Sequence, residues 1–66
     1  MTFTANGKKV TVDEPVSLKN WLIEAGYRIE VIACELNEEI IDPKDYEAVL
    51  LKENDILEVV SFVGGG

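Results

Sequence analysis

The sequence has no histidine and a single cysteine, Cys34. Without an imidazole, histidine-based acid–base catalysis is excluded. One thiol cannot build a disulfide framework within the chain, which fits a reducing compartment. The Cys and His ligands of a zinc site are missing as well. No apolar run approaches the roughly 20 residues of a membrane-spanning helix. There is no phosphate-cradling loop, because the glycines at 64 to 66 precede no helix and no lysine follows them. Positive charge is scarce too. Six Lys and Arg stand against thirteen Asp and Glu, a formal net charge of −7. Such a surface repels nucleic-acid phosphates and favours solubility and a partner with a basic docking face. The opening residues Met1 to Asn6 carry neither the basic region nor the long apolar region of a signal peptide. A cytoplasmic location is therefore expected.

What is present fits one small domain. A chain of 66 residues buries only roughly 60% of its unfolded surface, so its elements must be short. Residues 1 to 5 alternate apolar and hydroxyl side chains, Asn6-Gly7 follows, and residues 8 to 12 alternate again with Val10 and Val12 on one face. Asn-Gly between alternating segments predicts a tight hairpin, since both residues tolerate positive φ. Pro15 breaks the pattern, and Ser17 is placed to cap a helix. Leu18, Trp21, Leu22 and Ala25 then recur at helical spacing, and Gly26 suits the left-handed stop that follows. The predicted helix runs from about Leu18 to Ala25.

Residues 31 to 36 predict a third strand, with Ile32, Cys34 and Leu36 on one face and Val31, Ala33 and Glu35 on the other. Asn37, Glu38 and Glu39 read as a polar turn, and Ile40-Ile41 as a short apolar patch. Asp42 and Pro43 can cap and open one helical turn. Val49, Leu50 and Leu51 predict a short strand, and residues 56 to 62 the last one. Two strands, a helix and further strands in so short a chain imply an α+β fold, a mixed sheet of four to five strands with the helix across one face. The helix makes a parallel pairing of the first and last strands possible. This is the β-grasp, or ubiquitin-like, layout, with a domain over residues 1–62 and an arm over residues 63–66.

In the last strand Leu57 and Val59 point one way, and Glu58, Val60 and Phe62 the other. With Leu57 and Val59 toward the helix, Val60 and Phe62 lie on the open face, where Val31 and Ala33 can join them. That apolar cluster, continued by Val63, is the expected docking surface. The competing expectation is that Phe62 folds back onto the edge of the core. Cys34 has no histidine to activate it and reads as a small core residue. Trp21 also reads as core. The acids Glu35, Glu38, Glu39 and Asp42 match no cation-loop motif and read as a solvated or partner-facing patch. Val63-Gly64-Gly65-Gly66 remains. Glycines pack nothing in a fold, but they form a thin arm able to thread a narrow channel. Four extended residues reach about 14 Å, which leaves the Gly66 carboxylate as the expected reactive centre.

Several segments together carry a family likeness: Asn6-Gly7, Ser17-Leu18, Trp21-Leu22, the run from Glu35 to Ile41, the run from Asn54 to Val60, and Phe62 to Gly66. Over nearly its whole length the chain resembles the ThiS family of sulfur carriers, with Trp21 standing where leucine is expected. The resemblance implies that Gly66 is adenylated by a ThiF-type adenylyltransferase that uses ATP and magnesium. Sulfur from a cysteine desulfurase relay then makes a thiocarboxylate, which feeds thiazole formation at the thiazole synthase ThiG. Gly65 carries over as the penultimate glycine, and Gly64 adds flexibility. The domain is by implication a carrier and co-substrate, with no catalytic residue, bound cofactor or metal of its own. Three alternatives stand beside it: a carrier like the molybdopterin synthase small subunit, a ubiquitin-like modifier of lysines, and a non-covalent interaction module with an idle tail.

Overall fold

The computed structural model describes residues 1–62. Asn6 and Gly7 take φ of 50° and 82°, and this left-handed pair closes a hairpin between β1 (Thr2–Ala5) and β2 (Lys8–Thr11). Helix α1 (Leu18–Glu24) begins where the Ser17 hydroxyl accepts the Asn20 amide at 3.1 Å. That bond satisfies one of the amides a helix start leaves unpaired. The helix stops at Gly26, whose φ of 94° lets two amides turn back. Gly26 N donates to Ile23 O and Tyr27 N to Leu22 O, both at 3.0 Å, the paired closure of a glycine-terminated helix. Ala25 is the C-cap and exposed rather than part of the buried stripe. Leu18 and Leu22 face the core.

Three strands follow: β3 (Ile32–Leu36), β4 (Glu39–Ile41) and β5 (Ile56–Ser61). The sheet order is β2-β1-β5-β3-β4, with β5 parallel to β1 and antiparallel to β3. The last strand therefore lies in the middle, as the β-grasp layout requires. The fully buried side chains Phe3, Leu18, Leu22, Cys34, Tyr46 and Leu57 join the helix to one face of this sheet. Trp21 is half-buried against that core, edge-on to Phe3 at 5.4 Å between ring centroids. Among the described residues, no helix is long and apolar enough to cross a membrane.

Two expectations are corrected. The fourth strand is Glu39–Ile41, not residues 49 to 51. Asn37 and Glu38 both have positive φ, 53° and 70°, so the chain reverses in two residues and Glu39 already pairs with Leu36. Residues 49 to 51 make only a single antiparallel bridge, Leu50 to Ser17, flanked by backbone bonds from Leu18 N to Val49 O and from Leu51 N to Val16 O. Val31 closes a 3₁₀ turn over Ile29–Val31 and packs against the core. The turn breaks the alternation that placed Val31 on the open face. The expected arm, residues 63–66, lies outside the described residues.

Two asparagine side chains, one from each hairpin turn, act as backbone surrogates toward β5. Val59 N donates to Asn6 Oδ1 at 2.7 Å, and Asn6 Nδ2 donates to Val59 O at 3.2 Å. On the opposite flank, Ile56 N donates to Asn37 Oδ1 and Asn37 Nδ2 to Asp55 Oδ1, each at 2.9 Å. The buried Asp55 carboxylate also accepts Lys52 N at 2.7 Å, which fixes the turn entering β5. Replacing Asn37 by glycine keeps the left-handed backbone accessible and removes the amide. Urea unfolding of Asn37→Gly should show a loss of about 1–3 kcal/mol from the orphaned Asp55 and Ile56 groups. A loss under about 0.5 kcal/mol, the level of an ordinary surface change, would mean that water replaces the amide.

Candidate functional site

Alternation along β5 divides its side chains between two environments. Leu57 and Val59 are buried in the core. Ile56 is 53% exposed, Val60 59% and Phe62, just past the strand, 68%. Phe62 therefore does not fold into the core edge. Its backbone remains tied to the sheet, Phe62 N donating to Val31 O at 2.7 Å. Register adds the neighbours. Ala33 lies opposite Val60, Glu35 opposite Glu58, and Thr4 opposite Ile56. On β4, Ile40 lies opposite Glu35 and is 77% exposed. Sequence reasoning found Val60, Phe62 and Ala33 for this face and missed Ile40 and Ile56. Ile40 was legible only once the β3–β4 hairpin was known, because its face follows from its register.

The face is apolar and acidic together. Glu35, Asn37, Glu38, Ile56 and Glu58 line a groove on it. Glu35 and Glu58 are register partners across two strands, a like-charge placement that a sheet disfavours. Glu38, Glu39 and Asp42 are exposed near the β3–β4 end. Among the described residues, no group of three or more acidic or cysteine side chains is arranged to hold a metal ion. The remaining expected site residues, Val63, Gly64, Gly65 and Gly66, fall outside the described residues. They follow Phe62 directly in sequence.

Cys34 is in the core, on the side of β3 away from this face. Burial pushes its thiol above the ordinary value, which suppresses the thiolate a nucleophile needs. Tyr46 lies beside it. Its hydroxyl is buried, and burial, followed by the neighbouring thiol, pushes it from 10.0 up to about 12. The pair is structural, a small sulfur and a large ring filling the space under α1.

Comparison with known proteins agrees with this geometry. The ThiS family model matches residues 1–66. The chain is 38% identical over 63 residues to the sulfur carrier protein ThiS of Bacillus subtilis, covering 92% of this chain and 94% of that protein. It is 35% identical over 66 residues to a thiazole synthase of Magnetococcus marinus. There it covers 100% of this chain but 20% of that protein, so the chain spans about a fifth of the thiazole synthases it matches. The crystal structure of the thiamine biosynthesis protein ThiS of Geobacter metallireducens superposes with a TM-score of 0.82 at 33% identity, covering 100% of both chains.

The buried pair carries a pH signature. Both groups are held neutral in the fold, so the stability they contribute is intact at neutral pH. It is lost as pH rises past the unfolded values of 9.0 and 10.0 toward the raised folded ones. The urea midpoint should fall from about pH 9 to about pH 12 and be flatter above about pH 10 in Tyr46→Phe. An equally steep fall in Tyr46→Phe would remove the phenol from the account.

Proposed function

We propose a sulfur-carrier function from one premise: the chain belongs to the ThiS family. A Gly66 carboxylate oxygen attacks the α-phosphorus of ATP, pyrophosphate leaves, and the carboxyl group becomes a mixed anhydride with AMP. The terminal sulfur of a persulfide then displaces AMP to give an acyl disulfide, and a thiol reductant cleaves its S–S bond to release the thiocarboxylate. A carboxylate is a poor electrophile, and adenylation supplies the leaving group, the logic of covalent activation. The chain is a co-substrate and contributes no catalytic side chain. The observation that carries this reading is the exposed apolar end of β5, Val60 and Phe62, immediately before the glycine run in a chain that the ThiS model matches through residue 66.

Each partner follows from that chemistry. A ThiF-type adenylyltransferase with ATP and magnesium performs the activation, docking on Val60, Phe62 and Val63 while Gly64 and Gly65 thread its channel. Only glycine leaves such an arm narrow along its whole length. Glu35 and Glu58 favour a docking face that presents a guanidinium or ammonium between its apolar contacts. A cysteine desulfurase relay supplies the sulfur. Thiazole synthase consumes it, a reading supported by the thiazole synthases that are similar to this chain along about a fifth of their length. The absence of disulfide-forming cysteines suits the reducing cytoplasm in which these partners would work.

Intact-mass analysis after incubation with ATP, the adenylyltransferase and a sulfur source should show a gain of about 16 Da, oxygen replaced by sulfur after acyl activation. Removing Gly66 should abolish the gain while leaving the melting transition unchanged. Attachment of Gly66 to target lysines with no such gain would favour the modifier alternative. Phe62→Asp should weaken adenylyltransferase binding at least about tenfold while changing stability by less than about 0.5 kcal/mol, because Phe62 is a surface residue. A large stability loss with binding intact would return Phe62 to a packing role.

A further inference from the structure

The β1–β5 ladder is short. Its register ends with Ala5 opposite Leu57, and Asn6 N donates to Leu57 O at 2.9 Å. There β1 turns away, because Asn6 enters the left-handed hairpin. The side chain of Asn6 then continues what the backbone abandons. Its amide exchanges two hydrogen bonds with Val59, at 2.7 and 3.2 Å, standing in for the carbonyl and the amide that two separate peptide units of a parallel neighbour would supply. Its second amide hydrogen reaches Tyr27 Oη at 3.4 Å. Tyr27 packs against Trp21 at 6.2 Å between ring centroids, just after the helix ends.

We propose that Asn6 is a positioning residue: its amide, braced by Tyr27, locks the outer end of β5 and so sets where the following residues leave the domain. This rests on the sulfur-carrier reading, in which docking and delivery of the carboxylate are separable. Docking uses the open face. Delivery needs Val59 to Phe62 held still, since a small misplacement of a reacting group costs far more in rate than in affinity. Asn6 touches neither partner nor reacting atoms and acts through Val59.

The test is Asn6→Gly, which keeps the positive φ accessible and deletes only the amide. With an adenylyltransferase that activates the wild-type chain, kcat for ATP–pyrophosphate exchange should fall about tenfold or more while KM for the carrier changes by less than about twofold. Backbone amide order parameters should fall at Val59, Val60, Ser61 and Phe62 and stay unchanged elsewhere in the sheet. A folded variant with wild-type kcat overturns the proposal, since a merely stabilising clamp would lower the melting temperature and leave turnover alone. If Asn6→Gly does not fold, Asn6→Asp decides by the same kcat and KM measurement. It retains an acceptor for Val59 N and loses the donor to Val59 O. If the wild-type chain is not adenylated at all, the sulfur-carrier reading fails separately. The order parameters then decide alone, and unchanged values at residues 59 to 62 overturn the positioning role.

Discussion

The hydrogen-bonding of β5 is the constraint on which the rest of the molecule depends. A central strand needs partners along both edges, because unpaired buried peptide groups cost as much as the bonds that hold the fold. In this chain the neighbours are short. β3 covers one edge from Leu57 to Ser61, but β1 supplies only two registered pairs. Asn6 and Asn37 supply the missing rungs with side-chain amides. Both sit in hairpin turns at positive φ, a conformation asparagine tolerates better than most residues. The turn chemistry that reverses the chain thus also completes the strand at its centre.

That strand has two tasks on two faces. Leu57 and Val59 carry the core, while Ile56, Val60 and Phe62 stay in water. A small domain has little surplus stability, so apolar side chains left exposed in its middle need a reason. A docking surface is such a reason, and the apposed Glu35 and Glu58 favour a basic partner over self-association. The acids that give the chain its charge of −7 would make two copies of this face repel. Cys34 and Tyr46 are buried beneath α1, so the single thiol is kept from solvent.

Much of this was legible in the residues. The Asn6-Gly7 hairpin, the Ser17 cap, the Gly26 stop and the alternation of β5 are local signals, and each led to the element observed. The misreadings occurred where local signal is weak. Asn37 to Glu39 read as a polar turn, but Glu38 at positive φ is an unusual choice, so nothing marked the turn as only two residues long with Glu39 already in β4. Residues 49 to 51 are as apolar as a strand, yet they are used for a bridge to the start of α1 and for burying Leu51. Val31 matched the alternation of its neighbours, and a 3₁₀ turn removed it from that series.

By itself the sequence determined the fold class and the inward and outward sides of the last strand, and its lack of histidine excludes imidazole chemistry. Those depend on composition and on periods of two and 3.6, which any short window contains. Only the tertiary structure decided that Ile40 and Ile56 share a face with Val60, that Glu35 meets Glu58, and that Asn6 reaches Val59. Those facts depend on which strands become neighbours and in what register. Register is a property of residues more than fifty positions apart in the case of Asn6 and Val59, and no local pattern encodes it.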